Sequence, residues 1–285
     1  MDDKLILGKK TVAEIDNKTK EEILKLKESN IKLNLCILRI GENPDDLAYE
    51  RSIIKKNDKL GINTKIKKLD KNIELKDLKK EIKEINDNKN IHGILIFRPL
   101  PNHIKEYELK NLIDPKKDID CFNPLNMAKI IENDDSGFKP CTPEAVIEIL
   151  KSYDISISGK NIAIVGRSLV VGKPLAMMLL NEDATVCVCH SKTKNIKEIC
   201  KRADILIAAL GKAKYIDNEF IKKDAVVIDV GINLDEDNNL CGDVDFDDII
   251  NCVSKITPVP RGVGAVTTSI LARNVLKAYY NTINN

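Results

Sequence analysis

Histidine is scarce in this chain, with only His92, His103 and His190 among 285 residues, and no CxxC pair stands among the eight cysteines. Tetrahedral zinc needs clustered thiolate or imidazole ligands, so no metal site is expected. Net charge is nearly absent as well. The 46 basic and 44 acidic side chains leave +2, too balanced for a dedicated nucleic-acid binder. No apolar run approaches the ~20 residues that span a bilayer, which argues against a membrane protein. No secretory leader precedes the cysteines, so scattered reduced thiols in a cytoplasmic protein are the expectation. Neither an internal repeat nor a low-complexity linker interrupts the chain.

What is present is alternation. Apolar, strand-like runs at 33–40 and 91–97 alternate with charged helical stretches at 47–60 and 75–87, a βαβ rhythm around a parallel sheet. Residues 143–153 read as a helix with Pro143 at its start. From residue 160 the rhythm restarts more cleanly. Short strands at 160–166, 184–190, 204–210 and 225–231 alternate with helices, and a long amphipathic helix closes the chain at 268–283. That second half has the doubly wound pattern of dinucleotide-binding folds, whose ligands sit at the C-terminal ends of the strands.

The usual GxGxxG fingerprint is also missing. In "IAIVGRSLVVGKP" (162–174) only Gly166 and Gly172 stand in the strand-to-helix turn. Such a turn suits a pyrophosphate at the following helix N-terminus, but an unliganded tight turn reads as well. The next strand end offers a second sign. An acidic residue there would favour NAD, whereas His190, Ser191 and Lys192 can donate to a 2′-phosphate and favour NADP. Lys173 and Lys192 read equally well as solvated surface charge.

Ordered motifs then converge. "LGKKTVAEI" (7–15), "IGENPDDLAY" (40–49), "GILIFRPLP" (93–101), "PKKDIDCFNPLN" (115–126), "PCTP" (140–143), "GRSLVVGKP", "ATVCVCHSKT", "VVIDVGIN" (226–233), "GDVDF" (242–246) and "ITPVPRGVGAVTTS" (256–269) succeed one another across the whole chain. In order and spacing this series resembles the methylenetetrahydrofolate dehydrogenase/cyclohydrolase family. The resemblance implies an α/β fold of two domains. An N-terminal folate domain (1–140 plus 268–285) would be completed by the returning C-terminal helix, beside a Rossmann-type NADP-binding domain (141–267). It also implies a homodimer, tetrahydrofolate derivatives as substrates, and a folate cleft between the domains.

Residue by residue, the resemblance places Tyr49 at the family's folate-stacking tyrosine and Asp120 at the aspartate that holds the pterin. Gly166, Arg167, Ser168, Lys173, His190, Ser191 and Ile232 fall at cofactor positions, and Pro258, Gly262 and Gly264 along the substrate cleft. Cys121, Arg261 and Ala265 depart from the glycine, glycine and proline usual in the family, and Lys173 replaces its usual arginine. Two further departures bear on chemistry. Residue 53, four beyond Tyr49 and thus on its helix face, is isoleucine where the family keeps a lysine. Phe97 stands where the glutamine partner of that lysine belongs. Lys56 lies about one turn beyond residue 53, and a structural or surface role is expected of it. The expectation is NADP-dependent oxidation of 5,10-methylenetetrahydrofolate with weak or absent cyclohydrolase activity. The alternatives are a fully bifunctional enzyme and, more remotely, a non-catalytic folate or nucleotide binder.

Overall fold

Apolar runs and charged stretches sort into parallel strands and covering helices in the computed structural model, which describes residues 2–283. Two compact units divide the chain. The first comprises Ile15–Cys141 and the segment from Thr268 onward; the second comprises the N-terminal segment through Glu14 and Thr142–Thr267.

The first unit holds α1 (Gly8–Glu28, from Ile15), β1 (Asn34–Ile40), α2 (Pro44–Leu60), β2 (Asn63–Leu69), α3 (Leu75–Asp87), β3 (Gly93–Ile96) and α4 (Pro124–Ile131). Its sheet has the order β2-β1-β3, all parallel. Central β1 is buried over its five interior residues, as a strand covered on both faces should be. Edge strand β2 alternates instead, with Lys65 and Lys68 exposed. Helix α2 begins where the Asn43 side chain accepts the Asp45 amide at 3.1 Å and Pro44 occupies the first turn. It ends at Gly61, whose φ of 87° closes a left-handed cap. Its inward residues are Glu50, Ile53, Asn57 and Leu60, a helical period that fixes which face packs on the sheet. Glu50 meets Arg39 of β1 at 2.7 Å in a buried ion pair, which anchors the turn carrying Tyr49.

The second unit continues with α5 (Cys141–Ser152), β4 (Asn161–Val165), α6 (Gly172–Asn181), β5 (Thr185–Cys189), α7 (Ile196–Cys200), β6 (Ile205–Ala208) and β7 (Val226–Asp229). A hairpin of β8 (Asn233–Leu234) and β9 (Leu240–Cys241) follows, then α8 (Phe246–Ile249), β10 (Lys255–Ile256) and α9 (Gly264–Ile283). The parallel sheet runs β10-β7-β6-β4-β5. Strand order therefore reverses between β4 and β6, and such a switch point opens a crevice at the strand C-termini.

Residues 1–14 were expected with the folate domain; those described make their contacts in the second unit. Leu5 bridges Ile256 in parallel, the Ile6 amide donates to the Ile256 carbonyl at 2.8 Å, and the Leu7 amide reaches the Tyr153 hydroxyl at 2.9 Å. The segment thus lengthens the sheet beyond β10. From Thr268, α9 belongs to the first unit, where Asn274 donates to the Ile119 carbonyl at 2.9 Å. Among the described residues no helix is long and apolar enough to cross a membrane.

Candidate active site and cofactor turn

In the first unit, a line of contacts links two of the expected substrate positions, Tyr49 and Asp120. The half-buried Tyr49 ring, in the second turn of α2, lies 5.6 Å from the Phe97 ring, tilted 34°. Next to Phe97, Arg98 reaches Asp120 at 3.3 Å and lies 5.4 Å from the Phe122 ring centre. Asp120 also accepts the Cys141 amide at 2.9 Å, so its carboxylate is held from both sides. It remains partly exposed, with 26% of its side chain open to solvent, enough to meet a ligand.

The two departures from the family pattern are both apolar and both buried. Ile53 is 0% exposed and Phe97 6%. Neither side chain can give or take a proton. Lys56, one turn further along the helix, is engaged within the fold. Lys56 Nζ donates to Asp16 at 2.6 Å and to Ser269 Oγ at 2.9 Å, tying α2 to α1 and α9. Lys56 is thus held by a mostly buried ion pair to α1 and a hydrogen bond to α9.

Sequence reasoning overlooked the residue that shapes the Asp120 loop. Asp118, two residues earlier, is buried and accepts from the amides of Phe122 and Asn123 and from the Asn126 side chain, all within 2.9 Å. Burial lifts its carboxyl to about 6. In "DIDCF" the first aspartate therefore builds the turn and the second presents itself. Cys121, where the family has glycine, keeps the left-handed backbone at φ 56°. Arg261 does the same at φ 85°. Both turns persist without glycine, at a cost of about 1 kcal/mol each.

In the second unit the cofactor positions gather at strand C-termini. Gly166 follows β4 at φ 135°, and a Cβ there would run into the Ala209 carbonyl. The Gly166 amide donates to the Cys189 carbonyl at 2.9 Å, joining the ends of β4 and β5. Arg167 and Ser168 are exposed beyond it, and the Ser168 hydroxyl accepts the Val171 amide at 3.0 Å, just before α6 begins. The close backbone approach and the helix start make a cradle that fits a dinucleotide pyrophosphate. Lys173 is exposed in the first turn of α6.

At the end of β5, His190 Nδ1 accepts the Lys192 amide at 3.1 Å, which leaves the ring proton on Nε2. Thr193 Oγ1 accepts the His190 amide at 2.8 Å, and Ser191 and Lys192 stay exposed. Ile232 is 63% exposed in the loop after β7. Pro258 and Gly262 are buried in the segment between β10 and α9, which Gly264 ends as the first residue of that helix.

Two buried carboxylates also escaped the sequence reading. Asp229, at the end of β7, accepts the amides of Gly231, Asp243 and Val244 at 2.9, 3.1 and 2.9 Å. Burial pushes its carboxyl up to about 7. Asp243 lies beside it, and a Cβ on Gly231 would overlap its carboxyl, which requires glycine there. The only visible signal was an acidic residue ending the apolar run "VVID".

Known proteins resemble this chain from end to end. Residues 6–120 match the family described as "Tetrahydrofolate dehydrogenase/cyclohydrolase, catalytic domain", and residues 140–283 match its "NAD(P)-binding domain". A "Bifunctional protein FolD" of Clostridioides difficile is 51% identical over 274 residues, 96% of each chain. Another from Clostridium botulinum is 52% identical over 275 residues, covering 96% of this chain and 98% of that one. The crystal structure of the bifunctional FolD from Campylobacter jejuni superposes with a TM-score of 0.94 at 38% identity, covering 98% of this chain and 99% of its own. That of the Trypanosoma brucei dehydrogenase-cyclohydrolase, complexed with NADP cofactor and inhibitor, gives 0.92 at 32% identity, with 99% and 98% covered. With both domains matched in order and half of all residues shared with such relatives, the chain belongs to the tetrahydrofolate dehydrogenase/cyclohydrolase family.

Proposed function

We propose that this chain oxidises 5,10-methylenetetrahydrofolate to the 5,10-methenyl form with NADP+ and does not hydrolyse the product. One observation carries the second half: buried Ile53 and Phe97 occupy the positions of the family's lysine and glutamine. Removing a hydride from the methylene carbon leaves a resonance-stabilised cation, and no proton has to be abstracted. That step needs alignment above all. Tyr49 supplies a ring face for the folate, and the Asp120 carboxylate accepts the paired N–H groups of its aminopyrimidine edge. NADP+ supplies the hydride acceptor. His190 Nε2–H and the Ser191 hydroxyl are donors suited to a 2′-phosphate, and no carboxylate stands in that short loop to repel one.

Hydrolysis makes other demands. Water must lose protons as it attacks, and a ring nitrogen must gain one as it leaves, which calls for a positioned acid/base. Ile53 and Phe97 offer none. A separate hydrolase then has to consume the methenyl product. The homodimer rests on the family resemblance, and the cytoplasmic setting on the scattered cysteines of the sequence.

The second reading is a bifunctional enzyme, favoured by the naming of the relatives as bifunctional. Under it, Lys56 or Arg98 would supply the proton chemistry. Lys56→Ala separates the two. Breaking a buried pair strands Asp16, whose Oδ1 already has no partner, so a loss of about 3–5 kcal/mol in a denaturant titration is expected. Dehydrogenase turnover of the folded fraction should change little. If Lys56 were the acid/base, hydrolysis present in the parent protein would vanish in the variant.

The proposal as a whole is tested by mixing protein, methylenetetrahydrofolate and NADP+. Methenyl product should accumulate mole for mole with NADPH, and more slowly with NAD+. NADPH without accumulating methenyl would favour the bifunctional reading. No NADPH at all would leave a non-catalytic binder.

A further inference from the structure

We propose that Asp243 is a positioning residue that sets both loops bordering the dinucleotide crevice, with Asn233 as its adjustable contact. The inference rests on the reading of this unit as the NADP site. Asp243 is 0% exposed, and the donors to its carboxylate are three backbone amides and one side-chain amide rather than a lysine or arginine head group. Its Oδ2 accepts the Leu210 amide at 2.6 Å and the Gly211 amide at 3.1 Å. Oδ1 accepts the Lys212 amide at 2.7 Å and the Asn233 side-chain amide at 2.9 Å. A carboxylate has about four acceptor sites, and these bonds use them all.

The three consecutive amides, with Gly211 at φ 68°, form a concave anion-binding nest. In many folds such a nest takes a phosphate. Here the protein's own carboxylate fills it, so loop 210–212 is closed to phosphate and becomes a fixed wall. That wall matters because of where it stands. Loop 210–212 follows β6, one of the two strands at the switch point, and Ala209 packs directly on the Gly166 turn after β4. Asn233 opens β8, directly after the loop that follows β7 and beside exposed Ile232. The Asp243 backbone is itself fixed, because its amide donates to Asp229 and its carbonyl accepts the Ile216 amide at 2.9 Å. One buried side chain therefore joins the loops after β6 and β7 at the edge where the cofactor is expected.

A purely architectural carboxylate would support the fold without affecting the cofactor. The experiment uses Asn233→Ala and Asp243→Asn in the full chain. It measures NADP+ affinity by direct titration, KM and kcat for both substrates, and the melting midpoint. Asn233→Ala removes one bond from a half-exposed residue. Its expected result is NADP+ binding weakened about tenfold, the value of one charge-assisted hydrogen bond. The midpoint and the KM for methylenetetrahydrofolate should stay near those of the parent. Asp243→Asn turns an amide group toward backbone donors and should weaken NADP+ at least as much. If it fails to fold, Asn233→Ala decides alone. NADP+ affinity unchanged in folded Asn233→Ala, or a lowered midpoint with no change in affinity, overturns the proposal. Parent protein that binds no NADP+ overturns instead the reading on which it rests.

Discussion

Restoring both polar side chains, by Ile53→Lys with Phe97→Gln, is expected to raise methenyltetrahydrofolate hydrolysis by about 10²–10⁴-fold, the usual worth of a positioned acid/base. Helix α2 is capped at both ends and fixed at Glu50, so a side chain at residue 53 projects from a defined point. The two changes must be made together. A lysine alone at this fully buried position, with phenylalanine still at residue 97, would lack the glutamine that the family pairs with it. An unpaired buried ammonium costs several kcal/mol, and the group would shed its proton to avoid that cost. Glutamine at residue 97 supplies a carbonyl acceptor and recovers part of the loss. Phe97→Gln also removes the ring against which Tyr49 leans, so a few-fold fall in dehydrogenase activity should accompany the gain. A folded double variant with no added hydrolysis would show that the block lies elsewhere.

Asp120→Asn should lower kcat/KM for methylenetetrahydrofolate by about 10²–10⁴-fold. Two charge-assisted hydrogen bonds to a pterin edge, at about 1.5–3 kcal/mol each, account for a loss of that size. Asparagine can keep the Cys141 amide bond through its remaining oxygen, so the melting midpoint should move little. It turns an NH2 group toward Arg98 and toward the substrate, where an acceptor is needed. NADP+ affinity provides the control and should be unchanged. Equal losses in folate turnover and NADP+ affinity would contradict the role given to Asp120.

Local chemistry explains which features were legible in the sequence. The strands could be read because apolar runs in parallel sheets are continuous, and α2 because its inward residues keep a helical period. Its start was expected near residue 47 but lies at Pro44, since the Asn43 cap and a proline in the first turn admit three more residues. The stretch 194–203 looks helical, yet α7 makes little more than one turn, Ile196–Cys200, after a left-handed Asn195 at φ 52°. The apolar pair at 53 and 97 was visible because each residue sits at a fixed place in a motif. The partners of Lys56 were not. Asp16 is 40 residues away and Ser269 is 213 away, and only the fold brings them together. Asp118, Asp229 and Asp243 were missed for a related reason. Their partners are mostly backbone amides, which every residue has, so composition and spacing do not reveal them.

The central claim is that this site passes a hydride and moves no proton. Its most direct measurement is the decay of added methenyltetrahydrofolate in buffer, with and without purified protein, in the absence of NADP+. The predicted result is the same rate in both. Decay that rises in proportion to protein concentration, through many turnovers per chain, would contradict it.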